Sequence, residues 1–158
     1  GVYRGRITMS NISYLNFVKF KDRRYYLFDT FTGLDPEFSI EQELKQYRFA
    51  YPDSYEFVKK SFQEFNNVII VKGPVPTTLS QVTIDKVAYL SIDMNVVVPE
   101  IRALEFFWLK LVPGAIVILD DYAQMCHENQ KRAMDQFATS VGIKILSLPT
   151  GQGIIIKP

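Results

Sequence analysis

The sequence predicts a doubly wound α/β sheet, and three observations lead there. Four short runs rich in branched and aromatic residues are continuous rather than alternating, as expected of strands covered on both faces of a parallel sheet. Amphipathic helical patterns lie between those runs, so strand and helix alternate. The chain then ends on two more apolar runs around a short Gly-rich turn, which predicts an antiparallel hairpin.

Taken in order, Ile12, Leu15 and Val18 recur at helical spacing, and Thr8 or Ser10 is placed to open that helix. Tyr25-Tyr26-Leu27-Phe28 is the first strand. Asp53 with Glu56 three positions on reads as a capping box, after which Val58, Phe62 and Phe65 share a face until Asn66-Asn67. Val68–Val71 and Val87–Leu90 are the next strands. Pro99 suits a first helical turn, and Ile101, Leu104, Trp108 and Leu111 repeat at helical spacing until Pro113-Gly114 stops them. Ala115–Leu119 is the fourth strand. Ala133, Met134, Phe137, Ala138 and Val141 form a further stripe, closed by Gly142. Ile145–Leu148 and Ile154–Ile156 flank Pro149-Thr150-Gly151-Gln152-Gly153 and make the hairpin. The layout is Rossmann-like, a mostly parallel sheet finished by an antiparallel hairpin, which is the usual signature of a class I methyltransferase fold. Residues 30–55 are the least regular stretch, read either as a lid or acceptor-binding segment or as a loop with one short helix.

Composition narrows the function classes. A length of 158 residues suits one domain over 1–158, and 47% hydrophobic with 22% charged residues excludes a disordered chain. No apolar run approaches the roughly 20 residues that span a bilayer, and the start lacks a signal-peptide layout, so the expected location is cytoplasmic with no membrane partner. Eighteen Lys and Arg against 17 Asp and Glu leave no strong field for nucleic acid. The lone Cys126 excludes an internal disulfide.

In an open α/β sheet, ligands bind beyond the carboxyl ends of the strands. Gly1-Val2-Tyr3-Arg4-Gly5 is glycine-rich and leads into the first helix, so it is either a backbone approach to a ligand or a plain turn. Asp29 follows the first strand, where a carboxylate can accept both hydroxyls of a ribose or make a loop hydrogen bond. Gly73, in the turn after Val71, lines an adenine pocket or is simply loop. The strongest signal is acidic. Asp93, with Asn95 two residues on, ends one strand, and Asp120 and Asp121 end its neighbour. Three converging acids call for a positive partner, and oxygen donors suit Mg²⁺ or another hard divalent cation. The alternative is that one aspartate caps a helix while another pairs with Lys131 or Arg132. His127, the only histidine, stands at a helix start where a surface position is the commoner outcome, and Trp108 with Phe106-Phe107 reads as core.

Together, Gly-Val-Tyr-Arg-Gly, Tyr-Leu-Phe-Asp-Thr-Phe-Thr-Gly-Leu, Ser-Ile-Asp-Met-Asn, Leu-Val-Pro-Gly-Ala-Ile-Val-Ile-Leu-Asp-Asp-Tyr and Gln-Lys-Arg-Ala-Met-Asp-Gln-Phe resemble the macrocin O-methyltransferase family almost end to end. The resemblance implies methylation of a hydroxyl on a sugar or other small natural product, with S-adenosylmethionine and Mg²⁺ as cofactors. It implies cofactor contacts at Gly1, Val2, Tyr3, Gly5, Asp29, Thr30, Phe31, Gly73 and Asp93, and metal ligands at Asp93, Asp120 and Asp121. One departure stands out. The family has a second aspartate, proposed as the general base, where this chain has Asn95, and a neutral amide cannot take a proton at pH 7. Asp93 and Asn95 are therefore the expected catalytic pair, with Asn95 positioning substrate.

Two other readings remain at this level. A methyltransferase-like domain kept for binding or assembly fits the change at Asn95. A nicotinamide-dependent oxidoreductase fits less well, because Gly1–Gly5 lacks the G-x-G-x-x-G spacing. The methyltransferase layout also places Gly1 where the first and most central strand has already ended. The expectation is an N-terminally truncated domain lacking that strand, its sheet completed by rearrangement or by a neighbouring copy in a homo-oligomer, or its cofactor binding weakened.

Overall fold

In the computed structural model, which describes residues 1–158, the chain divides into two units, Gly1–Thr78 and Leu79–Pro158. The first contains α1 (Arg6–Leu15), β1 (Tyr25–Asp29), α2 (Glu41–Tyr47), α3 (Tyr55–Phe62) and β2 (Val68–Lys72). β1 and β2 pair in parallel from Tyr25↔Val68 to Asp29↔Lys72. Ile12, Phe17, Leu27, Phe31, Val58 and Phe62 form the unit's buried core, with Phe65 packed against it. The stripe of Val58, Phe62 and Phe65 packs as read from the sequence, whereas of Ile12, Leu15 and Val18 only Ile12 is buried and the other two are exposed.

Several boundaries differ from the sequence reading. α1 begins before Thr8, because Gly5 caps it in the left-handed region (φ 74°), and it ends before Val18 because Asn16 also turns left-handed (φ 49°). Asp53 and Glu56 do not form a capping box. Asp53 Oδ1 accepts the Tyr55 N–H at 3.0 Å, a local turn that shifts the cap position to Ser54. Residues 30–55 carry one short helix, α2, with Ile40 N–H donating to Glu43 Oε2 at 2.8 Å across its first turn.

Gly5 is required for two reasons at once. Its φ of +74° disfavours L side chains, and a Cβ there would stand 2.5 Å from Phe62 Cε2 in the core. Gly5→Ala is expected to lower stability by about 3 kcal/mol, from left-handed strain plus overpacking, read as a fall in the urea midpoint with unchanged slope.

The second unit contains β3 (Val87–Ile92), α4 (Val97–Trp108), β4 (Leu111–Leu119), α5 (Glu128–Ser140), β5 (Leu146–Ser147) and β6 (Gly153–Ile156). Its sheet order is β3-β4-β6-β5, with β3 parallel to β4 and β6 antiparallel to both β4 and β5. The terminal hairpin is thus present as expected. Leu111 opens β4 rather than continuing α4, and Pro113-Gly114 lies inside the strand. Proline has no N–H for the ladder, so the register jumps from Val87↔Leu111 to Tyr89↔Ile116 around it, with Gly114 at φ 80°. Leu104, Val117, Leu119, Met134 and Ile155 are buried, and Trp108 meets Phe137 edge-on at 5.3 Å.

Each unit carries its own ladder, β1-β2 in the first and β3-β4-β6-β5 in the second, so the α/β arrangement with parallel strands and an antiparallel edge is the one the sequence predicts. No helix is long and apolar enough to cross a membrane.

Candidate functional site

The glycine-rich turn of the first unit is organised by one carboxylate. Asp29 Oδ2 accepts the N–H groups of Val2 (2.5 Å) and Tyr3 (2.9 Å), and Asp29 Oδ1 accepts that of Phe31 (2.6 Å). A carboxylate has about four acceptor positions, so three are used on the backbone, and the Thr30 hydroxyl stands 3.4 Å from Oδ1. The loop hydrogen bonds open to Asp29 in the sequence reading are therefore made. Gly5 N–H closes the turn on Val2 O at 2.9 Å. Ser54, buried and not singled out in the sequence, donates its hydroxyl to Tyr3 O at 3.0 Å.

The two residues after Asp29 continue this framework. Thr30 Oγ1 donates to Gly33 O at 2.5 Å, and Phe31 is buried with a left-handed backbone (φ 60°). Gly73 N–H donates to Asp29 O at 2.9 Å, and a Cβ on Gly73 would stand 2.7 Å from Thr78 Cγ2. Gly1, Val2, Tyr3, Gly5, Asp29, Thr30, Phe31 and Gly73 are thus all placed around one strand end, where Tyr3 and Gly5 both have φ above zero.

The second unit carries the acids. Ile92 pairs with Leu119, and Asp120 N–H donates to Ile92 O at 2.9 Å, so Asp93 and Asp120 leave adjacent strand ends together. Gln152 of the hairpin turn donates to Asp120 Oδ1 at 3.1 Å. Gly153 makes this possible by packing without a side chain on Tyr122, whose ring a Cβ would meet at 2.7 Å. Asp121 is buried, and its Oδ2 has no hydrogen-bond partner. Burial pushes its carboxyl up to about 6; His127 opposes this to the extent that its ring is protonated, the charges of Asp93 and Asp120 reinforce it, and a hydrogen bond from the Asn95 backbone opposes it.

No group of three or more His, Cys, Asp or Glu side chains is gathered to hold a metal ion. Asp93, Asp120 and Asp121, expected as a ligand set, therefore do not form a cation cage as they stand, although the charges of Asp93 and Asp120 act on Asp121. The pairing of an aspartate with Lys131 is not found for these three either; Lys131 binds Asp135 at 2.6 Å and Tyr122 Oη at 3.2 Å.

Three groups at this site were missed or misplaced in the sequence. Glu100 is 2% exposed on α4, donor-bonded by Met94 N–H at 3.1 Å, and pushed up to about 8 first by burial and then by the charge of Asp121. Its spacing to Ala103, Leu104 and Phe107 puts it on the buried stripe, a signal that periodicity alone could have supplied. His127 is buried, 7% exposed, and not a surface residue, since its ring faces Asp121 Oδ2 at 3.7 Å. Gln130 is buried beside it and donates to Asn95 O at 2.9 Å, where Asn95 turns left-handed (φ 63°). Cys126, by contrast, is exposed.

The arrangement offers a backbone-lined turn at one strand end and, in the other unit, a buried acid beside an amide. Comparison with known proteins matches residues 1–146 to the Macrocin-O-methyltransferase (TylF) family. The chain is similar in structure to the O-methyltransferase NovP, with a TM-score of 0.84 at 23% identity, covering 99% of this chain and 69% of NovP. It is also similar to CalS11, a calicheamicin methyltransferase, with a TM-score of 0.74 at 22% identity and the same two coverages. A further CalS11 structure, described as apo TDP-rhamnose 3'-O-methyltransferase, gives a TM-score of 0.66 at 21% identity. At these identities the likeness is one of fold. No curated protein sequence matches the chain.

Proposed function

The chain belongs to the macrocin O-methyltransferase family, and from that premise we propose that it moves the methyl group of S-adenosylmethionine to a hydroxyl of a sugar or other small natural product. The observation that carries the reading is the acidic pair of strand ends, Asp93 beside Asp120 and Asp121, with Asp121 Oδ2 buried and unpartnered. Ligands of α/β sheets bind at such carboxyl ends. A sugar acceptor is favoured by the description of CalS11 as acting on TDP-rhamnose.

The sulfonium brings its methyl group already activated, so the protein's tasks are to align the acceptor oxygen and to help it lose a proton. The turn from Gly1 to Gly5 and the strand end at Asp29 supply backbone groups for the cofactor. Asn95 can orient a hydroxyl through its amide but cannot deprotonate it. A hard divalent cation on Asp93, Asp120 and Asp121 would supply Lewis-acid activation of that hydroxyl. Support for the cation is chemical: all the donors are oxygen, the charges of Asp93 and Asp120 raise the proton affinity of Asp121, and Asp121 Oδ2 lacks a hydrogen-bond partner. The side chains are not gathered as they stand, so a cation would have to assemble its own site.

Two measurements test this. Calorimetry with S-adenosylmethionine is expected to show binding to the wild type, and no binding would remove the methyltransferase reading in favour of a binding or assembly domain. In thermal melts without the cofactor, Mg²⁺ is expected to raise the midpoint of the wild type and leave Asp121→Asn unmoved. Superimposed wild-type curves with and without Mg²⁺ would remove the cation alone.

A further inference from the structure

One carboxamide joins the loop after β3 to the first turn of α5. Gln130 is 5% exposed; its Nε2 donates to Asn95 O at 2.9 Å and stands 3.1 Å from His127 Nδ1. Asn95 decides which end of the amide faces these groups, because a backbone carbonyl only accepts and the nitrogen must point at it. The amide nitrogen has two protons. With one on Asn95 O, the other meets Nδ1, so Nδ1 holds a lone pair and the ring proton sits on Nε2. His127 then has no proton to offer Asp121 Oδ2 from the nitrogen 3.7 Å away, which accounts for that oxygen's lack of a partner.

We propose that Gln130 is a positioning residue of the methyl-transfer site: by bridging Asn95 O and His127 Nδ1 it holds Asn95 in its left-handed turn and His127 as the Nε2–H tautomer, and so keeps His127 from capping Asp121 Oδ2. The proposal rests on the methyltransferase reading only for the reaction it serves. The hydrogen-bond geometry stands by itself. Asparagine is among the few non-glycine residues that tolerate φ above zero, and a bond to its carbonyl from a neighbouring helix fixes that choice. Removing the donor while keeping side-chain length frees Nδ1 to take the ring proton and turn it toward the acid.

His127 is the only histidine, so ring-nitrogen NMR of the full chain reports it without ambiguity. The wild type is expected to show a proton on Nε2 and a bare Nδ1, as the amide contact from Gln130 requires. Gln130→Met is expected to lose that signature and gain an Nδ1-bound proton. Its turnover should fall at least tenfold at unchanged KM for S-adenosylmethionine. A wild-type Nδ1–H, an unmoved tautomer in folded Gln130→Met, or an unmoved kcat would each overturn the proposal. Should Gln130→Met not fold, the wild-type spectrum still decides the tautomer. Calorimetry on the same samples separates the two readings, since a chain that does not bind S-adenosylmethionine fails as a methyltransferase whatever its histidine shows.

Discussion

Asn95→Asp is expected to raise kcat for methyl transfer by about a hundredfold, the lower end of what a positioned general base contributes. The substitution changes one atom's chemistry and leaves the backbone its conformation. Aspartate tolerates the left-handed region about as well as asparagine does, and the bond from Gln130 goes to the main-chain carbonyl, which is unaltered. A new carboxylate there would join Asp93, Asp120 and Asp121, and like charges would raise its pKa toward neutrality, where a base works best. The gain should disappear as pH falls through that pKa. Turnover of an acceptor that the wild type methylates checks this. An unchanged kcat would mean that proton removal is handled elsewhere in the site.

Glu100→Gln is expected to stabilise the chain at neutral pH and to flatten its stability profile. Burial first, and Asp121 next, raise the Glu100 carboxyl from 4.5 to about 8, so between those values the folded chain keeps a proton that the unfolded chain has released. Stability is therefore full below about 4.5 and is lost as pH rises toward 8. Each pH unit in that window is worth about 1.4 kcal/mol, so the wild type should lose about 3 kcal/mol between pH 5 and pH 7 that the variant retains. Glutamine keeps the acceptor for Met94 N–H. Urea unfolding of both proteins across this range, in EDTA so that no cation compensates the acids, gives the comparison. Parallel pH profiles would place the proton on another group.

Legibility in the sequence followed locality. Strands at Tyr25–Asp29, Val68–Lys72 and Val87–Ile92 were visible because continuous branched and aromatic runs report burial directly. The hairpin of β5 and β6 was visible because a Gly-rich turn between two apolar runs allows few alternatives. Strand β4 was less so: its proline reads as a stop, yet a register jump accommodates it within the ladder. The site divided in the same way. Asp93, Asp120 and Asp121 announced themselves as charges at the ends of apolar runs, whereas Glu100 was hidden by its neighbours on a helix and His127 by the expectation that a polar ring at a helix start faces water.

By itself, then, the sequence determined the elements, the alternation that makes an α/β chain, and the set of acids at the strand ends, since each depends on residues near one another in the chain. Tertiary structure alone decided what those groups do with their hydrogen bonds. Asp29 lies 27 residues from Val2 and Gln130 35 residues from Asn95, and only folding could show that the carboxylate closes a backbone turn and that the amide bridges Asn95 O and the His127 ring. The reason is saturation: a buried polar group takes the partners that packing brings within reach, and its remaining lone pairs and protons are what the chemistry has left to use.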